Sequence, residues 1–212
     1  MSNESLQDAT TRLFVIAAPS GAGKTTLVHA MVMRNPELRF SVSYTTRPQR
    51  SNEADGVDYV FVDVEQFEKL RADGELLESA TVFDNYYGTS RKQVEGVLAE
   101  GHNVVLEIDW QGARQVRESM PDCVTIFVLP PSLTELERRL RSRRTDSNAV
   151  IERRLRDAVS DMARWDEFDF VIINDDLDQA VANLEAVFAG QGQALATDNA
   201  EIRARVHEII GL

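Results

Sequence analysis

Leu13-Phe-Val-Ile-Ala-Ala18-Pro-Ser-Gly21-Ala-Gly23-Lys24-Thr25-Thr26 is the stretch that decides the fold. Leu13 to Ala18 is a short unbroken apolar run, the pattern of a strand buried on both faces of a parallel sheet. It stops at a glycine-rich turn, after which Thr25 to Met33 has the spacing of a helix. Strand, turn and helix in that order aim several backbone N–H groups and the positive end of the helix at one point, which makes a polyphosphate site. Ala18 to Thr26 matches the phosphate-loop pattern GxxxxGKT, with Ala18 in place of the first glycine. That replacement removes backbone freedom but no donor. Lys24 is expected to bridge the β- and γ-phosphates of a nucleotide, and the Thr25 hydroxyl to hold Mg²⁺ directly.

Working outward, similar apolar runs recur at Val104 to Ile108, Cys123 to Leu129 and Phe168 to Ile173. Helix-period stretches lie between and after them, with starts marked by Ser90 with Gln93 and Ser132 with Glu135, and stops at Gly101 and Pro121. Alternating strand and helix predicts an α/β protein with a parallel sheet. Residues 41–90 break the rhythm: Ser41 to Thr45, Tyr59 to Val62 and Leu76 to Val82 have the character of short strands around a helix from Val64 to Ala72. They form an inserted mixed-sheet subdomain in this reading. Asp175 to Ala189 is expected to close the core as a helix. Glu201 to Ile210 carries helical spacing, with an apolar side fit to dock on its own core or on a neighbouring subunit.

The 212 residues carry 23 basic and 35 acidic side chains, a net charge of −12, which argues against a protein that coats nucleic acid. Locally the sign reverses. Eight arginines lie between Arg138 and Arg156 against only Asp146 and Glu152, a concentration suited to a confined anionic ligand. No apolar run approaches the ~20 residues that span a bilayer, and residues 1–12 lack the basic start and apolar stretch of a signal peptide, so a cytoplasmic location without a membrane partner is expected. Cys123 alone excludes an intrachain disulfide and is expected in the core. His29, His102 and His207 lie outside every motif.

The phosphate loop is followed by Ser43-Tyr-Thr-Thr-Arg47-Pro-Gln-Arg50, Gly56-Val-Asp-Tyr59, Asn85-Tyr-Tyr87-Gly-Thr89, Leu106-Glu-Ile-Asp109-Trp-Gln-Gly112 and Asn174-Asp-Asp176. Together and in that order, from about Leu13 to Phe188, these closely resemble the guanylate kinase family. The resemblance implies a P-loop nucleoside monophosphate kinase fold, a parallel sheet core flanked by helices, with an inserted GMP-binding subdomain and a helical lid. Residues 1–40, 91–134 and 158–212 would form the core, 41–90 the GMP-binding subdomain and 135–157 the lid. The implied reaction is Mg²⁺-dependent transfer of the γ-phosphoryl group of ATP to GMP.

By resemblance, Ala18, Pro19, Ser20, Gly21, Ala22, Gly23, Lys24, Thr25, Thr26 and Asn174 would bind ATP, Asn174 near the adenine. Ser43, Arg47, Arg50, Tyr59, Glu78, Tyr87, Gly88, Thr89 and Asp109 would bind GMP. Chemistry makes sense of the roles. Arg47 and Arg50 can form a two-pronged clamp on the acceptor phosphate. Guanine donates from N1–H and its 2-amino group where adenine presents an acceptor, so carboxylates at Glu78 and Asp109 reward guanine, and Ser43 would face O6. A site of this kind discriminates by ~10⁴–10⁵, because the wrong base leaves buried groups unpaired. From the residues alone, Glu78 also suits a solvated strand carboxylate and Asp109 a helix N-cap.

Glu107 and Asp109 flank Ile108 at a strand end, on one face of the sheet's C-terminal edge, where ligands of open α/β sheets bind. Glu107 would hold Mg²⁺ through water; the family more often has aspartate there. Lys24 and Arg47 would act in catalysis with Arg139, Arg143 and Arg154, which match the lid arginines that stabilise the transferring group. Arg138, Arg141, Arg144, Arg153 and Arg156 are expected on solvated helix surface, and Asp175 and Asp176 to cap the final core helix. A general base is not required, since a phosphate acceptor is already ionised near neutral pH.

Overall fold

The apolar run before the loop forms β1 (Leu13–Ala17), with all five residues buried, and the loop feeds α1 (Lys24–Arg34) and then β2 (Leu38–Phe40). The structure, a computed structural model, describes residues 11–51, 53–82, 84–142 and 148–211. The insertion holds β3 (Tyr44–Thr45), β4 (Val60–Phe61), α2 (Val64–Ala72), β5 (Leu76–Val82) and β6 (Asn85–Ser90). Alternation then resumes with α3 (Arg91–Ala99), β7 (Asn103–Glu107), α4 (Trp110–Ser119), β8 (Val124–Leu129), α5 (Leu133–Ser142) and α6 (Asn148–Met162). The chain finishes with β9 (Phe170–Ile173), α7 (Leu177–Phe188) and α8 (Ala200–Ile210).

β1 sits in the middle of a five-stranded, all-parallel sheet of order β2-β7-β1-β8-β9. Its side chains alternate between two cores: Val15 joins Leu106, Phe127 and Leu136 on one face, while Phe14 and Ile16 join Leu27, Met31 and Leu184 on the other. A strand covered on both faces favours apolar side chains on both, which explains the unbroken run. The insertion forms a second sheet of order β4-β3-β6-β5, parallel between β3 and β4 and antiparallel elsewhere.

Two strands were not expected. β2 has three residues, too few to show a period. β6 carries Asn85, Gly88 and Ser90, residues of turns by local preference, and pairing along β5 overrides that preference. Gly88 is there for close packing: a Cβ would come within 3.0 Å of both Leu76 and Phe67.

The helix starts agree with the sequence. The Ser90 hydroxyl accepts from Gln93 N at 3.3 Å, Ser132 from Glu135 N at 3.1 Å, and Asp176 caps α7 through Gln179 N at 2.9 Å. Beyond α7, Thr197 N donates to Asp169 O at 2.9 Å and Ala196 bridges Phe170, so the chain lies along the outer edge of β9. Helix α8 docks on its own chain: Val206 and Ile209 are buried, and Arg203 and His207 pack on Trp165. Cys123 is buried in the core as expected. Among the described residues no helix is long and apolar enough to cross a membrane.

Candidate active site

The phosphate loop leaves β1 at the C-terminal edge of the parallel sheet and turns through Gly21 and Gly23, whose φ angles are 92° and 91°. Both lie where only glycine is unstrained. A Cβ on Gly23 would also stand 2.4 Å from Asn174 Nδ2. The loop is braced from behind: Ala22 O accepts from Asn174 Nδ2 at 2.8 Å and from an Arg139 N–H at 3.2 Å. Arg139 also donates to Asn174 O at 3.0 Å and is held by Glu135 at 2.7 Å. Leu136 and Leu140 of α5 close against Gly21.

At the start of α1 the Lys24 ammonium donates to Ile108 O at 2.7 Å and lies 3.9 Å from Glu107. Burial holds its pKa below the ordinary lysine value, against the pull of Glu107, Asp109 and Glu78. The Thr25 hydroxyl donates to the Glu107 carboxylate. A hydroxyl and a carboxylate make a hard-oxygen pair, which fits Mg²⁺ completed by phosphate and water oxygens. No cluster of three or more His, Cys, Asp or Glu side chains placed to hold a metal exists among the described residues.

The facing wall comes from the inserted sheet. Glu78 on β5 is 3% exposed; its Oε1 accepts from the Thr89 hydroxyl at 2.7 Å, and its side chain lines the cleft. Burial pushes its carboxyl up to about 7, with Thr89 opposing the shift and Asp109 adding to it. Asp109 accepts from Gly112 N at 2.9 Å as the N-cap of α4 and also lines the cleft, so its two readings coexist. Tyr59 and Tyr87 meet edge to face at 5.9 Å, and burial raises the Tyr59 phenol to about 12. The Arg47 guanidinium lies over the Tyr59 ring at 5.2 Å and is gripped by Glu53.

Helix α6 supplies the third wall with Arg153, Arg154, Asp157, Ser160 and Asp161. Trp110 Nε1 donates to Asp161 at 2.9 Å, which ties α6 to α4, and Arg114 and Arg164 lie over the indole. The three walls enclose a cleft of about 530 Å³.

A phosphate loop across one cleft from a buried glutamate is matched by what the chain is similar to. The family model described as guanylate kinase matches residues 10–191. The chain belongs to the guanylate kinase family. The guanylate kinase of Alkalilimnicola ehrlichii is 49% identical over 94% of this chain and 98% of its own, and that of Methylococcus capsulatus 51% identical over the same shares. A crystal structure of guanylate kinase from Anaplasma phagocytophilum superposes with a TM-score of 0.73 at 30% identity, covering 96% of this chain and 97% of that one.

Within this guanylate kinase family member the expected residues are distributed unevenly. The loop from Ala18 to Thr26, apart from Ala22, lines the cleft with Ser43, Arg50, Tyr59, Glu78, Tyr87, Glu107, Asp109 and Arg154. Arg139 and Asn174 stand behind the loop, Arg47 is turned to Glu53, and Gly88 and Thr89 lie beneath the wall. Arg143 and Arg144 lie outside the described residues. Arg153 is 57% exposed, as expected of solvated helix surface, and borders the cleft beside Arg154. Glu53, Gln115 and Asp161 went unnoticed in the sequence. Only Glu53 left a trace there, an acid placed six residues after Arg47 in a short loop.

Proposed function

We propose how this cleft divides the work of moving the γ-phosphoryl group of ATP to GMP to give ADP and GDP. The protein is an ATP:GMP phosphotransferase by family membership over nearly its whole length, an activity of purine nucleotide metabolism. The observation that carries the assignment of roles is the placement of Glu78 and Asp109 in one cleft with Lys24 and the loop glycines.

The loop N–H groups and Lys24 take the ATP phosphates, Lys24 exchanging the Ile108 carbonyl for phosphate oxygen. The Thr25 hydroxyl would hold Mg²⁺ directly and Glu107 would hold it through water, and the ion would supply charge neutralisation at the phosphates. Arg143 and Arg154 neutralise the equatorial oxygens of the transferring group, joined by Arg139 on exchanging its loop carbonyls for phosphate oxygen, with residues 135–157 acting as a lid. Asn174 helps seat the adenine while bracing the loop. On the acceptor side, residues 41–90 bind GMP: Arg47 and Arg50 clamp its phosphate with the Tyr59 and Tyr87 hydroxyls. Glu78, oriented by Thr89, accepts from the guanine edge with Asp109, and Ser43 faces O6. The acceptor phosphate attacks as an anion, so no side chain need remove a proton. With its substrates in the cytoplasmic nucleotide pool, the protein works there, without nucleic acid or membrane as partner.

Arg47→Ala tests the acceptor assignment. It is expected to raise the KM for GMP by about 10²-fold, the scale of a lost bidentate charged contact, and leave the KM for ATP unchanged. Equal effects on both substrates would remove Arg47 from the acceptor phosphate.

A further inference from the structure

Helix α4 holds both carboxylates assigned to guanine, one directly and one from outside. Asp109 caps the helix through Gly112 N at 2.9 Å. Gly112 is buried against β5, where an added Cβ would lie 2.5 Å from Glu78 Oε2 and 3.1 Å from its Cδ. The bare α-carbon therefore forms the back of the Glu78 seat, while Thr89 fixes the other carboxylate oxygen.

One turn further along α4, Gln115 reaches the same strand. Its Nε2 donates to Ser79 O at 2.8 Å and its Oε1 accepts from Ser79 N at 3.0 Å. Among the described residues β5 is the edge of its sheet, so the backbone groups of Ser79 on that side face no neighbouring strand there. A primary amide, with one donor and one acceptor side by side, satisfies both. Ser79 follows Glu78 directly, and 36 residues of chain separate it from Gln115. Neither Gln115 nor Gly112 lines the cleft.

We propose that Gln115 is a positioning residue for guanine recognition: its amide clamps Ser79 to α4 and, with the space left by Gly112, fixes the Glu78 carboxylate relative to Asp109. The inference rests on the assignment of Glu78 and Asp109 to guanine. Displacements of about 1 Å at such a site cost on the order of 10²-fold. Without the clamp, β5 keeps its pairing with β6 but loses its register against α4.

The test compares Gln115→Leu, Gln115→Glu and Glu78→Gln in steady-state kinetics with GMP and IMP as acceptors, alongside thermal melting. Gln115→Leu is expected to raise the KM for GMP about tenfold or more and to narrow the preference for GMP over IMP. Its KM for ATP and its kcat at saturating GMP stay within about twofold of the parent. Gln115→Glu keeps the shape and the acceptor for Ser79 N–H but loses the donor; a smaller rise in the KM for GMP is expected, and this variant carries the test should the leucine fail to fold. A lower kcat and Tm with both KM values unchanged would mark Gln115 as merely structural and overturn the inference. So would an unchanged KM for GMP in a Gln115 variant while Glu78→Gln raises it. An unchanged KM for GMP in Glu78→Gln itself would overturn the guanine assignment instead.

Discussion

Glu53 grips the Arg47 guanidinium with both carboxylate oxygens, at 2.8 and 3.0 Å, and its Oε2 also accepts the Arg50 backbone N–H at 2.9 Å. The two side chains are 10% and 13% exposed, which sets the pair apart from solvated surface bridges. Glu53 thus aims one clamp arginine and fixes the backbone of the other. Its carboxyl lies below the usual range because of the hydrogen bonds from Arg47, so the grip persists at mildly acid pH. Glu53→Gln keeps the shape and loses the charge. The expected result is a rise of about tenfold in the KM for GMP, the equivalent of one charge-assisted hydrogen bond, with the KM for ATP unchanged. Steady-state kinetics with each substrate varied in turn checks it.

Glu78 carries a pH dependence of known sign. Its folded carboxyl, near 7, binds a proton that an exposed glutamate at 4.5 would release. The folded state therefore holds more protons between those values, and this group's contribution to stability falls as pH rises from about 4.5 to 7, then levels off. Glu78→Gln should melt roughly 5 °C higher than the parent at pH 8 and within a degree or so of it at pH 4.5. The same change should raise the KM for GMP, because the neutral amide is a weaker acceptor for the guanine edge than the ionised carboxylate. In the parent, GMP binding should strengthen between pH 6.5 and 8, beyond the change due to the phosphate's own titration; calorimetry across that range measures it.

Lys24 is half-buried, and desolvation lowers its pKa. A cation held this way opposes folding at neutral pH and serves the phosphates instead. Lys24→Met should lower kcat by about 10³-fold, while the melting temperature is unchanged or raised. A folded variant with parental turnover would show that Lys24 does not touch the transferring phosphate.

Asp161 is pushed up to about 6 from 3.8, by burial first and then by Asp109 and Asp157, against the Trp110 N–H and Arg164. Its contribution to stability therefore falls as pH rises through that window. Asp161→Asn keeps an acceptor for Trp110 Nε1 and should raise the melting temperature at pH 7.5 but not at pH 4. Loss of stability at both values would mean that the carboxylate charge itself holds α6 to α4.

What could be read from the sequence follows physical lines. β1, β7, β8 and β9 were legible because strands covered by helices read as short, largely apolar runs, and the loop because its glycines and Lys24 have fixed spacing. Glu78 was legible only through the family resemblance. In Leu76-Leu-Glu-Ser-Ala80 it suits a solvated position, and what buries it is α4, far along the chain. β6 was missed for the same reason, since its strand character comes from β5 rather than from Asn85 or Gly88. Glu53 and Gln115 act through loop and edge-strand contacts, which leave no period in a sequence. The docking of α8 was decided by Trp165, which offers Arg203 and His207 a surface on the chain's own core.

ADP release with Mg·ATP and, separately, GMP, IMP, AMP, UMP or CMP tests the central claim that two carboxylates opposite a phosphate loop select guanine. Strong, metal-dependent turnover restricted to GMP is expected, with at most a weak response to IMP, which lacks the 2-amino group. Comparable turnover with AMP, or none with any acceptor in a folded protein, would contradict it.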